Sequence, residues 1–204
     1  MALNLCITIS EINWSLTKDV VSIVGTIGVL SIGVLGLFTW RRQLRGTSEY
    51  EIAKKAILKT YEVQQVLQSV RNPVLYLSRE EVEAGRRLEE EQRIYSDRMT
   101  SLYEKWAELQ TIRLEAKVIW GKEAHYSFNE LQQRIKDVRG AIWLHFWMKG
   151  AYAGPGATVD NSPERVREND KVFYFTSEED DFSQEITKST ANVEEFFGPR
   201  VRAK

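Results

Sequence analysis

The chain has 204 residues, enough for one domain and an anchoring segment, and its 28 basic and 29 acidic side chains leave a formal charge of -1. That balance argues against a general nucleic-acid binder, and no nucleic-acid partner is expected. Cys6 is the one cysteine, so neither an intramolecular disulfide nor a cysteine-based zinc site can form.

Residues 1–18 make a short segment in which Leu3, Leu5, Ile7 and Ile9 alternate with Asn4, Cys6, Thr8 and Ser10. Alternation over so few residues fits a segment lying in a membrane interface, with a strand as the other reading. Asn13-Trp14-Ser15 matches the N-glycosylation pattern, a short match discounted for its closeness to the apolar run that follows.

Val20–Trp40 holds twenty-one residues without a charge. As a helix it rises about 32 Å, the thickness of a bilayer's hydrocarbon core. Residues 19–40 are therefore expected to form one transmembrane helix. A cleaved signal peptide has its basic residues before the apolar core and small residues after it. Here Arg41, Arg42 and Arg45 follow the run, and only Lys18 precedes it. Basic residues stay on the cytoplasmic side, so the N-terminus is expected outside and the larger part of the chain in the cytoplasm. The same three arginines, in a juxtamembrane linker at 41–48, are expected to contact anionic lipid headgroups. Within the run Ser22, Gly25, Gly33 and Gly36 fall within about 80° on a helical wheel, and Gly28 extends that face. A face of small residues lets two helices approach closely, so self-association through it is a candidate interaction.

Beyond Gly46 the chain is charged and helical in pattern. Ser48-x-x-Glu51, Ser78-x-x-Glu81 and Ser127-x-x-Glu130 have the spacing of capping boxes, in which a serine oxygen takes a free amide and a glutamate returns to the serine N–H. The first predicts a helix from Glu49 to Arg71, with Ala53, Ala56, Thr60, Val63, Leu67 and Val70 at heptad spacing, stopped by Asn72-Pro73. The second predicts one helix from there to Trp120, charged in its first half and apolar along Tyr95, Met99, Leu102, Trp106, Leu109, Ile112, Ala116 and Ile119 in its second. The third predicts a helix carrying Phe128, Leu131, Ile135, Val138, Ile142 and His145 and ending near Gly150–Gly154. Its close is aromatic on several sides, and Trp143, Phe146, Trp147 and Tyr152 exceed what one seam needs. They are read as core beneath Lys171–Thr176 and the last helix, and otherwise as a candidate partner surface or a patch resting on the membrane. Residues 155–176 read as a loop ending in an extended run, Lys171–Thr176. Residues 177–204 read as a C-terminal helix stopped at Gly198-Pro199 and a basic tail.

The expected fold is all-α: a single N-terminal transmembrane helix, then an elongated antiparallel bundle of about four helices across 49–154 and 177–204, with at most one short strand. No Walker loop, GxSxG, HExxH or CxxC occurs, so no catalytic residue, metal or cofactor is expected and the protein is read as no enzyme. In outline the chain resembles single-span bacterial inner-membrane proteins with a helical cytoplasmic domain. That is a likeness of shape, and it assigns no role to any residue. Two functions compete on these residues. One is a membrane-anchored scaffold whose partners are the bilayer and a cytoplasmic protein. The other is a membrane-perturbing effector, a toxin or defence protein, whose membrane helix oligomerises.

Overall fold

The computed structural model describes residues 14–152 and 154–202. The alternating N-terminal stretch, Cys6 and Asn13 lie outside the described residues. Of those described, 82% are helical and none is in a strand, so the protein is all-α. The helices are α1 (Trp14–Val70), α2 (Arg79–Glu83), α3 (Arg87–Trp120), α4 (Lys122–Tyr126), α5 (Asn129–Met148), α6 (Pro163–Phe173) and α7 (Asp181–Arg202). The chain divides into two compact units, Met1–Ser48 and Glu49–Lys204.

The first unit is the leading part of α1. From Lys18–Val70 this is the one helix among the described residues long and apolar enough to cross a membrane, with a mean hydropathy of 2.3 over its best window and none of that window buried. Three of its hydroxyls are satisfied internally: Thr26, Ser31 and Thr39 each donate to the carbonyl four residues back. Such bonding suits a helix surrounded by hydrocarbon, where no water is on hand to take the proton.

The second unit buries the heptad positions. Ala53, Ala56, Val63 and Leu67 of α1 pack with Leu102, Leu109 and Ala116 of α3, Leu131 and Val138 of α5, and Ile186, Val193 and Phe197 of α7. A smaller cluster of Tyr95, Ala141, Phe146 and Phe173 joins α3, α5 and α6.

Several element boundaries differ from the sequence reading, each for a local reason. None of the three serine boxes caps a helix. α1 runs through Gly46 and Ser48, because one glycine costs a long helix only about 1 kcal/mol and no proline stands near. Ser78 starts α2 without a side-chain cap, and its N–H donates to Glu90, while Glu81 pairs with Arg86. Ser127 closes α4 and donates to the carbonyl of Ala124. The long second helix is two helices. At Gly85, with φ +80°, the Arg86 N–H reaches back to the Glu81 carbonyl and the Gly85 N–H to that of Val82, the pairing of a Schellman turn.

Residues 155–176 are not merely loop and extended run. Ser162 and Pro163 open α6, whose inner positions Val166, Asn169 and Phe173 follow at spacings of three and four. The run beginning at Lys171 therefore starts as the last turn of a helix, with Tyr174 in extended conformation after it. Gly198-Pro199 does not stop α7, which continues to Arg202. Phe197 is fully buried against Trp120 and Phe128, and Val201 packs on the same core, so tertiary contacts hold the segment helical past the missing amide.

Candidate functional site

The aromatic end of α5 is built on a turn. Gly150, at φ +82°, follows the helix; the Ala151 N–H bonds the Phe146 carbonyl and the Gly150 N–H that of Trp147. This Schellman geometry reverses the chain and returns Tyr152 to the helix it has just left. Tyr152 lies parallel to Trp143, with centroids 6.4 Å apart and planes 16° from parallel, and 6.1 Å from Trp147. Trp143 and Trp147, one turn apart, are 4.9 Å apart.

Phe146 parts company with the other three. It is 2% exposed and meets Tyr95 edge to face at 5.7 Å. It is core, and the candidate surface consists of Trp143, Trp147 and Tyr152. Trp143 is 53% exposed and Tyr152 43%. Lys136 and Arg139 are exposed on the same side of α5 and form no ion pair among the described residues. On the helical wheel Lys136, Arg139, Trp143 and Trp147 fall within about 80°.

Beneath this surface lies a buried, packed layer. His145 stacks on Phe173 at 3.9 Å and 12°, and is buried. Burial drives its pKa down to about 4, helped by the Lys149 charge and opposed by Glu91. Tyr95 is buried with an unpartnered hydroxyl, and burial raises it to about 12. Burial also pushes the Glu91 carboxyl up, but hydrogen bonds from Lys149 and Arg87 outweigh it and hold the group below its ordinary value. The Lys149–Glu91 bond, 2.6 Å, ties the end of α5 to the start of α3.

Two buried arginines hold the frame, and sequence reasoning assigned neither a role. Arg71, fully buried, donates to the carbonyls of Lys171, Val172 and Tyr174, to the Ser183 hydroxyl and to Asp180. It thus joins the end of α1, the end of α6 and the start of α7. Burial pushes Asp180 up, yet the N–H groups of Ser183 and Thr176 and the Arg71 charge bring it down to about 2. Arg113 likewise joins α3 to the following helices through the His125 carbonyl, Gln132 and Asn129. In sequence both arginines sit at helix ends or on seams otherwise apolar, and only that contrast was there to find them. Both cations are taken up by acceptors within the fold. Among the described residues no group of three metal-ligating side chains comes together.

The other expected positions lie in the first unit. Ser22, Gly25, Gly28, Gly33 and Gly36 are exposed along α1, and a Cβ at any of the glycines meets no atom within 4 Å. Arg41, Arg42 and Arg45 are exposed on the same helix. No protein-family model matches the chain, no curated protein is similar to it, and no solved structure matches its fold.

Proposed function

We propose that the protein is a membrane-anchored, non-enzymatic interaction component. In this reading residues 19–40 span a bacterial inner membrane once, with the N-terminus outside. Arg41, Arg42 and Arg45 rest at the cytoplasmic headgroups. The Glu49–Lys204 unit is an antiparallel helical bundle in the cytoplasm that binds a protein partner through Trp143, Trp147 and Tyr152. The observation that carries the reading is the contrast in exposure: the chain buries most of its heptad seams yet leaves open a membrane-length apolar run and a cluster of touching aromatic rings. Exposed tryptophan and tyrosine over a rigid layer are what interface anchors are made of, since they carry large area at little conformational cost.

Topology tests the membrane half of this proposal. Protease added to intact spheroplasts is expected to spare a tag at the C-terminus and to remove it only after lysis. Digestion before lysis overturns the orientation, and recovery of the protein in the soluble fraction overturns the anchor.

A further inference from the structure

The interaction reading leaves the partner's chemistry open, and the charge around the aromatic cluster narrows it. We propose that this face of α5 docks an acidic protein segment that brings one apolar or aromatic side chain to the Trp143–Trp147–Tyr152 cluster. The inference rests on the interaction reading above and adds the sign of the partner's charge.

The cationic side is exposed and uncommitted. Lys136 and Arg139 stand two turns and one turn before Trp143 on the same face. The nearest acid on that stretch of α5, Asp137, points to its own neighbours, accepting from Gln133 and pairing with Arg134. Glu91 is likewise engaged by Lys149 and Arg87. An approaching chain therefore meets rings bordered by positive charge, which attracts carboxylates and repels basic segments.

Beside the rings runs a groove of about 460 Å³ between α5 and α6. Lys136, Asp137 and Gly140 line it on the α5 side and Arg165, Glu168 and Asn169 on the α6 side, so the charges within the groove balance and the positive excess lies on the ring face, at Arg139. The floor is open because residue 140 lacks a side chain, and a Cβ there meets nothing within 4 Å. A short segment seated across Lys136, which borders both the groove and the ring face, sets an apolar side chain against the rings while its carboxylates reach Lys136 and Arg139.

A protein segment is favoured over a lipid surface because the groove between α5 and α6 takes an extended chain next to the ring face, whereas a headgroup layer presents no such chain.

The test is a selection of displayed random peptides on the full chain held in phosphatidylcholine nanodiscs. The expected winners carry net negative charge and an aromatic or leucine residue. Their affinity is expected to fall about tenfold or more in Trp143→Ala, and to weaken as salt is raised. Gly140→Leu, which fills the groove at an open helical position, is expected to do the same with unchanged circular dichroism, guarding against a misfolded Trp143 variant. Lys136→Glu with Arg139→Glu is expected to reject acidic winners. Neutral or basic winners that still need Trp143 overturn the acidic inference and leave the interaction reading standing. Winners indifferent to every variant, or none at all, overturn both. Trp143-dependent recruitment of phosphatidylglycerol vesicles to the discs assigns the face to lipid and overturns the proposal. So does a dimer that dissociates in Trp143→Ala, which assigns the face to a second copy.

Discussion

Arg71 shows how much one side chain can hold. Its guanidinium reaches five acceptors across three segments and sits over the Phe182 ring at 4.8 Å. Truncation leaves three backbone carbonyls, Ser183 and Asp180 without their donor in a closed site, so Arg71→Ala is expected to cost about 3–5 kcal/mol. Arg71→Lys is expected to recover only part, because one ammonium cannot span acceptors arranged around a planar fork. Urea unfolding of the chain in detergent, followed by near-ultraviolet circular dichroism, measures both. A loss below about 1 kcal/mol for Arg71→Ala removes the clamp from the account. His145 makes stability depend on pH. In the fold its pKa is near 4, whereas an unfolded histidine titrates near 6.5. Between these values the unfolded chain binds a proton that the folded chain does not. The contribution is therefore fully present above about pH 6.5 and is lost as pH falls toward 4, by roughly 3 kcal/mol at most. The groups facing His145 are Lys149, Glu91, Phe146, Phe173 and Tyr174, and the two charges oppose each other. His145→Gln is expected to flatten the stability profile between pH 6.5 and 4. A profile as steep as the unsubstituted chain's rejects the role. Asp180, held near 2, acts in a lower window, lost as pH falls below about 4.

At the scale of elements, what was legible was periodicity and what was not was punctuation. The seam Ala53, Ala56, Thr60, Val63, Leu67, Val70 reads directly from spacing, and every member is buried. Burial of a regular face is a collective property that survives local exceptions. Boundaries depend on single contacts. Ser48, Ser78 and Ser127 each stand three residues before a glutamate, yet Ser48 lies inside α1, Glu90 and Arg86 take the groups of the second box, and the Ala124 carbonyl takes the Ser127 hydroxyl. The α6 helix offers few inner positions, Val166, Asn169, Val172 and Phe173, too few to outweigh the turn residues around it. For the aromatic cluster, sequence singled out the four rings but did not separate Phe146, which turns inward to Tyr95 and Phe173, from Trp143 and Tyr152, which stay exposed. Gly121 is punctuation of a stricter kind. Its φ of 81° and ψ of -156° belong to a region that essentially only glycine enters, and it turns the chain from α3 into α4. Gly121→Ala is expected to cost about 1–3 kcal/mol, read as a lowered midpoint of thermal unfolding. Gly140→Ala, in ordinary helical conformation, is expected to be neutral or stabilising, and equal losses at both sites would show that backbone conformation is not the cause.

At the scale of the whole molecule the open question is whether α1 only anchors or also acts on the membrane, and the glycine face decides it. A Cβ added at Gly25 or Gly36 meets nothing within 4 Å, so the chain itself has room for any side chain there. Leucine is also a better helix former than glycine and keeps the segment apolar and long enough to insert. Gly25→Leu with Gly36→Leu therefore leaves a single molecule intact and disturbs only close approach by another helix. If the protein is an anchored interaction component, membrane targeting and Trp143-dependent peptide binding are expected to stay unchanged in this double variant. If instead α1 assembles to perturb the bilayer, oligomers and any collapse of membrane potential on overexpression disappear together. We expect the first outcome, because the hydroxyls of Thr26, Ser31 and Thr39 are spent on their own helix carbonyls and leave no polar lining for a water-filled path. Collapse of the membrane potential by the unsubstituted chain, abolished by the two leucines while peptide binding persists, would move the function from the aromatic face to the membrane helix.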